Sequence, residues 1–384
     1  MWDAVNYVKW QLLRGEYSNY AYAIQSINSD IFRKIEYPVS PELDASNDLT
    51  CARLVEEYMP LAIARPFVEE FITKDLIHTV NETANQIQKA FVQRVMGKDW
   101  LDKFTKDQCV EKANAITRQI AYPDFIKVDK ELDEYYNEMD ISSGHSFFEV
   151  VAAVRYFNIE KEVASYTKPI DKTQWLEPPT LVNAYYYAPF NQFVFLAGIL
   201  RPPFITATWP PFLLYGSFGV VTGHELTHGF DNNGQQFDKN GNRVKWWTDA
   251  SIRQFQNRTQ CFVDQYDQYS LLGVEIDGEL TLGENIADNG GVHTAYHAYK
   301  NVMNGKRVRK YGGYTEDQLF FVSFAQLYCS QYTVDGLEIA TTDTHSPDPV
   351  RVLGSLVNSE EFTEAFQCSK GSKMYPSDDR CELW

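Results

Sequence analysis

Val220-Val221-Thr222-Gly223-His224-Glu225-Leu226-Thr227-His228-Gly229-Phe230-Asp231 decides how the rest of the chain is read. It contains His-Glu-x-x-His. In a helix, positions i and i+4 lie one turn apart on one face, so His224 and His228 can aim both imidazoles at one ion. Glu225 stands beside them, placed to handle water without being a ligand. Two histidines on a helix are ordinarily surface or core residues. Here an apolar run from Phe212 to Val221 leads in, as for a buried helix. The stretch predicts a helix over 212–230 with a zinc site on it.

A catalytic zinc ordinarily takes three protein ligands and keeps one position open. Gly283-Glu284-Asn285-Ile286-Ala287-Asp288 offers the third, because Glu284 and Asp288 again share a helical face. Glu284 can coordinate, and Asp288 can accept a hydrogen bond from the far nitrogen of a ligand imidazole. Most carboxylate pairs are solvated faces. This one opens an apolar helix containing Gly290-Gly291, where another backbone can come close. A rival pair, His293 and His297, has the same spacing as the motif. At about 100° per residue they fall about 180° and 220° round from Glu284, away from the metal, unless the helix breaks at the glycines. His345 stands in Thr342-Asp343-Thr344-His345-Ser346-Pro347, with Asp343 to orient it. It could donate to the oxyanion formed when water attacks a peptide carbonyl. His78 and His145 lack such company and read as structural.

The chain has 384 residues, long enough for a large core and two domains. Its hydrophobic share of 44% with 15% aromatics describes a folded globular protein. A formal charge of −17 argues against nucleic acid or an anionic membrane as partner. Six cysteines follow no C-x-x-C spacing, so a cysteine-ligated zinc is not expected. Sequons at Asn81 and Asn257 would permit glycosylation, and the cysteines lean towards an oxidising compartment. Met1-Trp2-Asp3-Ala4-Val5-Asn6 has neither the basic start nor the apolar core of a signal peptide, and no apolar run is long enough to span a bilayer.

Residues 1 to about 145 read as mostly helical, with apolar spacings of three and four over Leu54–Phe71, Asn85–Met96 and Lys106–Ile120. The acidic segment Asp129–Asp140 is the boundary candidate. Val182–Tyr187 and Gln192–Leu196 then read as strands of a hairpin, and a further helix is expected over 248–269. The expected fold class is mainly α with a small β-sheet (α+β), divided into a helical wall, 1–145, and a catalytic domain, 146–384.

With these pieces assembled, the chain resembles the neprilysin and endothelin-converting-enzyme family of zinc peptidases, within the gluzincin class. The likeness runs through Asn183-Ala184-Tyr185-Tyr186, Ala197-Gly198-Ile199-Leu200, the motif through Asp231, Gly283 to Asp288, His345-Ser346-Pro347 and the closing Cys381-Glu382-Leu383-Trp384. It implies one zinc per chain on His224, His228 and Glu284, with Glu225 as general base. Asp288 would orient His224, Asp343 would orient His345, and His345 would stabilise the tetrahedral intermediate. Arg351 would hold a substrate carbonyl, and Asn183 and Ala184 would pair with the peptide as an added strand. Ile199, Phe204, Val220, Val221, Leu327 and Tyr328 would line a pocket for a large apolar side chain after the scissile bond. Tyr328 stands where neprilysin has tryptophan. The resemblance also implies a disulfide between Cys261 and Cys381, with the family partners of Cys51, Cys329 and Cys368 absent.

Family members are about twice as long, so the chain resembles their C-terminal half, and the expectation is a fragment or short form lacking the upstream half. It would be extracellular or at the cell surface if a signal or anchor lies upstream. The expected function is a zinc endopeptidase acting on peptides on the amino side of large hydrophobic residues. The alternative is a truncated, poorly active paralogue that binds zinc or peptide as a decoy. A gluzincin aminopeptidase fits less well, because the chain has no Gly-x-Met-Glu-Asn stretch.

Overall fold

The structure, a computed structural model, describes residues 47–141, 144–306, 309–377 and 380–384. Of these, the residues up to Ile63 and Phe125–Ile170 form one compact unit, and Ala64–Asp124 with Asp171–Trp384 form another. Compactness thus divides the chain differently from the expected split at residue 145.

The first helices are α1 (Asn47–Tyr58) and α2 (Pro60–Phe71). The expected continuous helix over Leu54–Phe71 is interrupted at Met59, because Pro60 cannot donate a backbone hydrogen bond and opens a new helix. α3 (Lys74–Gly97) is capped by the Thr73 hydroxyl, which accepts from Leu76 N, and α4 (Lys103–Ala115) by Asp102, which accepts from Thr105 N. The expected helix through Ile120 stops at Ala115. Strand β1 (Thr117–Ala121) follows and runs parallel to a later central strand. Ile116 and Ile120 carry the i, i+4 apolar spacing that imitates a helix, but the sheet needs a strand at that edge.

In the smaller unit, α5 (Asp129–Tyr136) and α6 (Phe147–Ser165) pack with α1 around Tyr58, Met139, Val151, Val154 and Phe157. The expected boundary segment, Asp129–Asp140, therefore contains α5 and lies within this unit. A Ser146–Glu149 capping box starts α6.

The larger unit continues with the expected hairpin, β2 (Ala184–Tyr187) and β3 (Gln192–Leu196). β3 is the middle strand of the order β1-β3-β2, and all five of its residues are buried. The expected 212–230 helix forms as α7 (Pro211–Leu214), one π turn over Tyr215–Gly219, and α8 (Val220–His228). Single π turns of this kind often sit at functional sites. α9 (Asp249–Tyr266), a short ribbon of β4 (Ser270–Leu271) and β5 (Val274–Glu275), and the long α10 (Leu282–Met303) come next. A second ribbon, β6 (Lys310–Tyr311) with β7 (Tyr314–Thr315), leads to α11 (Glu316–Leu327), α12 (Val334–Ala340), α13 (Asp348–Val357) and α14 (Glu360–Phe366).

α8 and α10 form the centre of this unit, with α3 packed on both. Trp384 is 1% exposed, lies among Phe91, Trp100, Phe230 and Trp247, and donates its indole N–H to Phe230 O at 3.1 Å. A Cys261–Cys381 disulfide ties this tail to α9. Cys109, Cys329 and Cys368 are unpaired among the described residues, and Cys51 falls outside the described side chains. No helix among the described residues is long and apolar enough to cross a membrane.

Candidate metal centre

His224 and His228 stand one turn apart on α8, and their Nε2 atoms are 2.9 Å apart. Glu284, in the first turn of α10, brings Oε2 to 3.2 Å from His224 Nε2 and 3.4 Å from His228 Nε2. Among the described residues this is the one group of three His, Cys, Asp or Glu whose ligand atoms all lie within 4.8 Å of one another. Ligands about 2.0–2.1 Å from a tetrahedral zinc stand about 3.3 Å apart, so the spacing suits that ion. Glu284 Oε2 is buried, and no hydrogen bond in the structure satisfies it. A buried carboxylate oxygen of that kind is costly unless a cation or proton meets it. The donor set fits zinc.

Glycine sets how closely the two helices cross. A Cβ on Gly223 would fall 2.8 Å from Gly291 O, and one on Gly291 would fall 2.8 Å from His224 N. α10 runs unbroken through Gly290-Gly291, so His293 and His297 do face away from Glu284.

Each candidate ligand imidazole is held from behind. His224 Nδ1 lies 2.8 Å from Asp288 Oδ1, and His228 Nδ1 lies 2.7 Å from Asp231 Oδ2. With Nδ1–H donating to a carboxylate, Nε2 is left as the lone-pair nitrogen, the tautomer a metal needs. Arg351 donates from Nε and Nη2 to Asp288 at 2.8 and 2.7 Å. Burial works against the Asp288 carboxylate, but the Arg351 guanidinium holds its pKa down at about 2. Burial likewise opposes charge on Glu284, and His228, His224 and His345 hold its pKa well below the usual range. Glu225 is buried, and burial raises its pKa above the ordinary carboxylate value.

His345 brings Nε2 to 3.1 Å from Glu284 Oε2, while its Nδ1 meets Asp343 Oδ1 at 2.7 Å. Asp343 also accepts from His345 N at 2.8 Å, so the carboxylate fixes both ring and backbone. The Arg351 guanidinium lies 4.7 Å from the centre of the Tyr328 ring. Two of its nitrogens, Nε and Nη2, are engaged by Asp288. Of the expected pocket residues, Phe204, Val221, Leu327 and Tyr328 are half-buried, Ile199 is buried, and Val220 is fully enclosed. Asn183 is exposed just before β2, an edge strand that packs on α8, and Ala184, its first residue, is buried.

His293 and His297 meet Glu361 instead, at 3.2 and 3.3 Å. Asp231 is the one partner of a candidate ligand that the sequence pattern did not single out. It stands three positions after His228, just past the helix end, and that spacing is the signal that could have found it.

Two models described as peptidase family M13 match the chain, over residues 183–383 and 3–123. Rat endothelin-converting enzyme 1 is 42% identical over 340 residues, 87% of this chain and 44% of the relative. Drosophila melanogaster neprilysin-3 is 38% identical over 99% of this chain and 48% of the relative, and rabbit neprilysin 37% identical over 100% and 51%. The chain spans about half the length of these relatives. Among solved structures, Mycobacterium tuberculosis zinc metalloprotease Zmp1 in complex with an inhibitor superposes with a TM-score of 0.76 at 29% identity, covering 86% of this chain and 50% of that one. A Haemonchus galactose-containing glycoprotein complex gives a TM-score of 0.77 at 27% identity, covering 88% and 55%.

Proposed function

The chain belongs to peptidase family M13, and from that membership we propose that it acts as a zinc endopeptidase cleaving peptides on the amino side of large apolar residues, with residues 146–384 carrying the chemistry. The observation that carries this reading is the convergence of His224 Nε2, His228 Nε2 and Glu284 Oε2, with buried Glu225 in electrostatic reach of all three.

In this reading zinc on those three residues supplies Lewis acidity, lowering the pKa of water and polarising a peptide carbonyl. Glu225 takes the proton of the attacking water and hands it to the leaving nitrogen, a shuttle helped by a pKa that burial has raised. Asp288 and Asp231 keep the two imidazoles in register. His345, held against the effect of burial in its protonated form by Glu284 and Asp343, donates from Nε2 to the oxygen on which negative charge develops. Arg351 Nη1 holds a carbonyl of the substrate. The substrate backbone pairs with the free edge of β2 at Asn183 and Ala184. Phe204, Val221, Leu327 and Tyr328, backed by Ile199 and Val220, receive the side chain that follows the scissile bond, and their apolar character favours a large hydrophobic one.

An extracellular or cell-surface setting belongs to the same proposal. The Cys261–Cys381 bond supports it, since such bonds persist in oxidising compartments. Asn257 is exposed on α9 and suits glycosylation better than Asn81, whose side-chain amide donates to Ile77 O inside α3.

Peptide cleavage with cut sites mapped by mass spectrometry, beside zinc analysis, tests the proposal. Cuts before Phe or Leu are expected, lost in Glu225→Gln while zinc stays. Zinc and peptide binding without cleavage in the native sequence would favour the alternative, a binding or decoy protein.

A further inference from the structure

Lys112 lies on α4, more than a hundred residues before the metal motif, and is 0% exposed. Its Nζ donates to three backbone carbonyls: Gly229 O at 2.6 Å, Gly234 O at 2.8 Å and Phe237 O at 2.6 Å. Three acceptors match the three N–H groups of an ammonium and offset in part the burial that pushes its pKa down to about 7. The rings of Trp246, Phe230 and Tyr186 surround it, with centres 5.1, 5.3 and 5.9 Å away. Gly229 closes α8, where the helix presents its negative end, so a cation is favoured there on electrostatic grounds as well.

The three carbonyls belong to the segment that turns the chain back beneath His228. That segment holds Asp231, whose Oδ1 accepts from Asn233 N at 2.8 Å and Gly234 N at 2.6 Å while Oδ2 faces His228 Nδ1 at 2.7 Å. Gly234 takes part on both sides, with its N–H on Asp231 and its carbonyl on Lys112. It also lies so close to the helix end that a Cβ would fall 1.8 Å from His228 O.

We propose that Lys112 is a positioning residue for the metal centre, clamping residues 229–237 so that Asp231 holds the His228 imidazole in ligand orientation. The proposal rests on the reading of His228 as a zinc ligand. Lys112 touches neither substrate nor metal; it acts through the loop and Asp231. A methionine would fill the same volume without gathering the carbonyls, leaving three buried acceptors without their donor.

Zinc dissociation constants of the full chain, read by competition with a chromophoric chelator, test it. Lys112→Met should weaken zinc about 10–100-fold, the usual effect of losing a partner behind a ligand. In an Asp231→Ala background the same substitution should weaken zinc no further, because its route is already cut. A second readout needs no metal: the His228 Nδ1 proton, followed by NMR with labelled histidine in zinc-free protein, should exchange faster in Lys112→Met. Native zinc affinity in Lys112→Met, or effects that multiply in the double variant, would overturn the proposal. Lys112→Gln, which keeps part of the donor set, should fall between. If neither variant folds even in saturating zinc, Lys112 is a scaffold residue and the proposal is lost. His228→Ala beside them separates the premise: unchanged zinc affinity there breaks the ligand reading, while the zinc-free proton of His228 in Lys112→Met still reports on the clamp.

Discussion

The chain carries His-x3-His twice, and the two copies meet opposite surroundings. On α8, His224 and His228 turn their Nε2 atoms to one point, each held at Nδ1 by its own carboxylate, with Glu284 as the third donor. On α10, His293 and His297 share one carboxylate, Glu361, approached through Nδ1 of one ring and Nε2 of the other. His293 is buried and His297 is 47% exposed. Burial would raise the Glu361 pKa, but the two imidazoles pull it well below the usual range. The first pair thus presents lone pairs to a site, and the second turns its nitrogens to a shared acid. Spacing puts two imidazoles on one face; the carboxylates packed against that face decide whether they can act as ligands.

The largest break in this comparison should come from removing the third donor. Glu284→Ala is expected to take zinc from one per chain to none at micromolar metal, measured by metal analysis after gel filtration. Retained zinc would mean that the α8 pair does not need α10. Next in size is Glu225→Gln, which should keep zinc while turnover falls by about 10²–10⁴-fold, the range of general acid–base catalysis. Zinc lost in parallel would make Glu225 a ligand or a structural residue. His345→Phe removes the donor proposed for the oxyanion and should lower kcat by about 10²–10³ with little change in KM. A normal kcat would return His345 to a structural part. The smallest effect belongs to the other pair: His293→Ala with His297→Ala should leave zinc content and kcat unchanged and reduce stability by about 1–3 kcal/mol, since Glu361 loses both imidazoles and keeps only the Ser359 hydroxyl as a side-chain partner among the described residues. Denaturant unfolding reads that loss, and any fall in zinc content would erase the distinction between the pairs.

The two pairs also separate what local sequence dictates from what folding adds. The sequence by itself determined the features that depend on neighbours a few residues away. Helical geometry places His224 with His228, and Glu284 with Asp288, whatever else the chain does. The β-branched and aromatic runs flanking Ala188-Pro189-Phe190-Asn191 make a hairpin for equally local reasons. Ambiguous spacing misleads: Ile116 and Ile120 suit a helix and a strand alike, and only pairing with β3 makes Thr117–Ala121 a strand. Tertiary structure alone decided that Asp231 serves His228, that Glu361 meets the second pair, and that Lys112 reaches across to the carbonyls behind the motif. The physical reason is range. Backbone geometry fixes the angle between residues one turn apart, whereas a contact across more than a hundred residues exists only after helices cross at glycine contact and close a buried space around the charge.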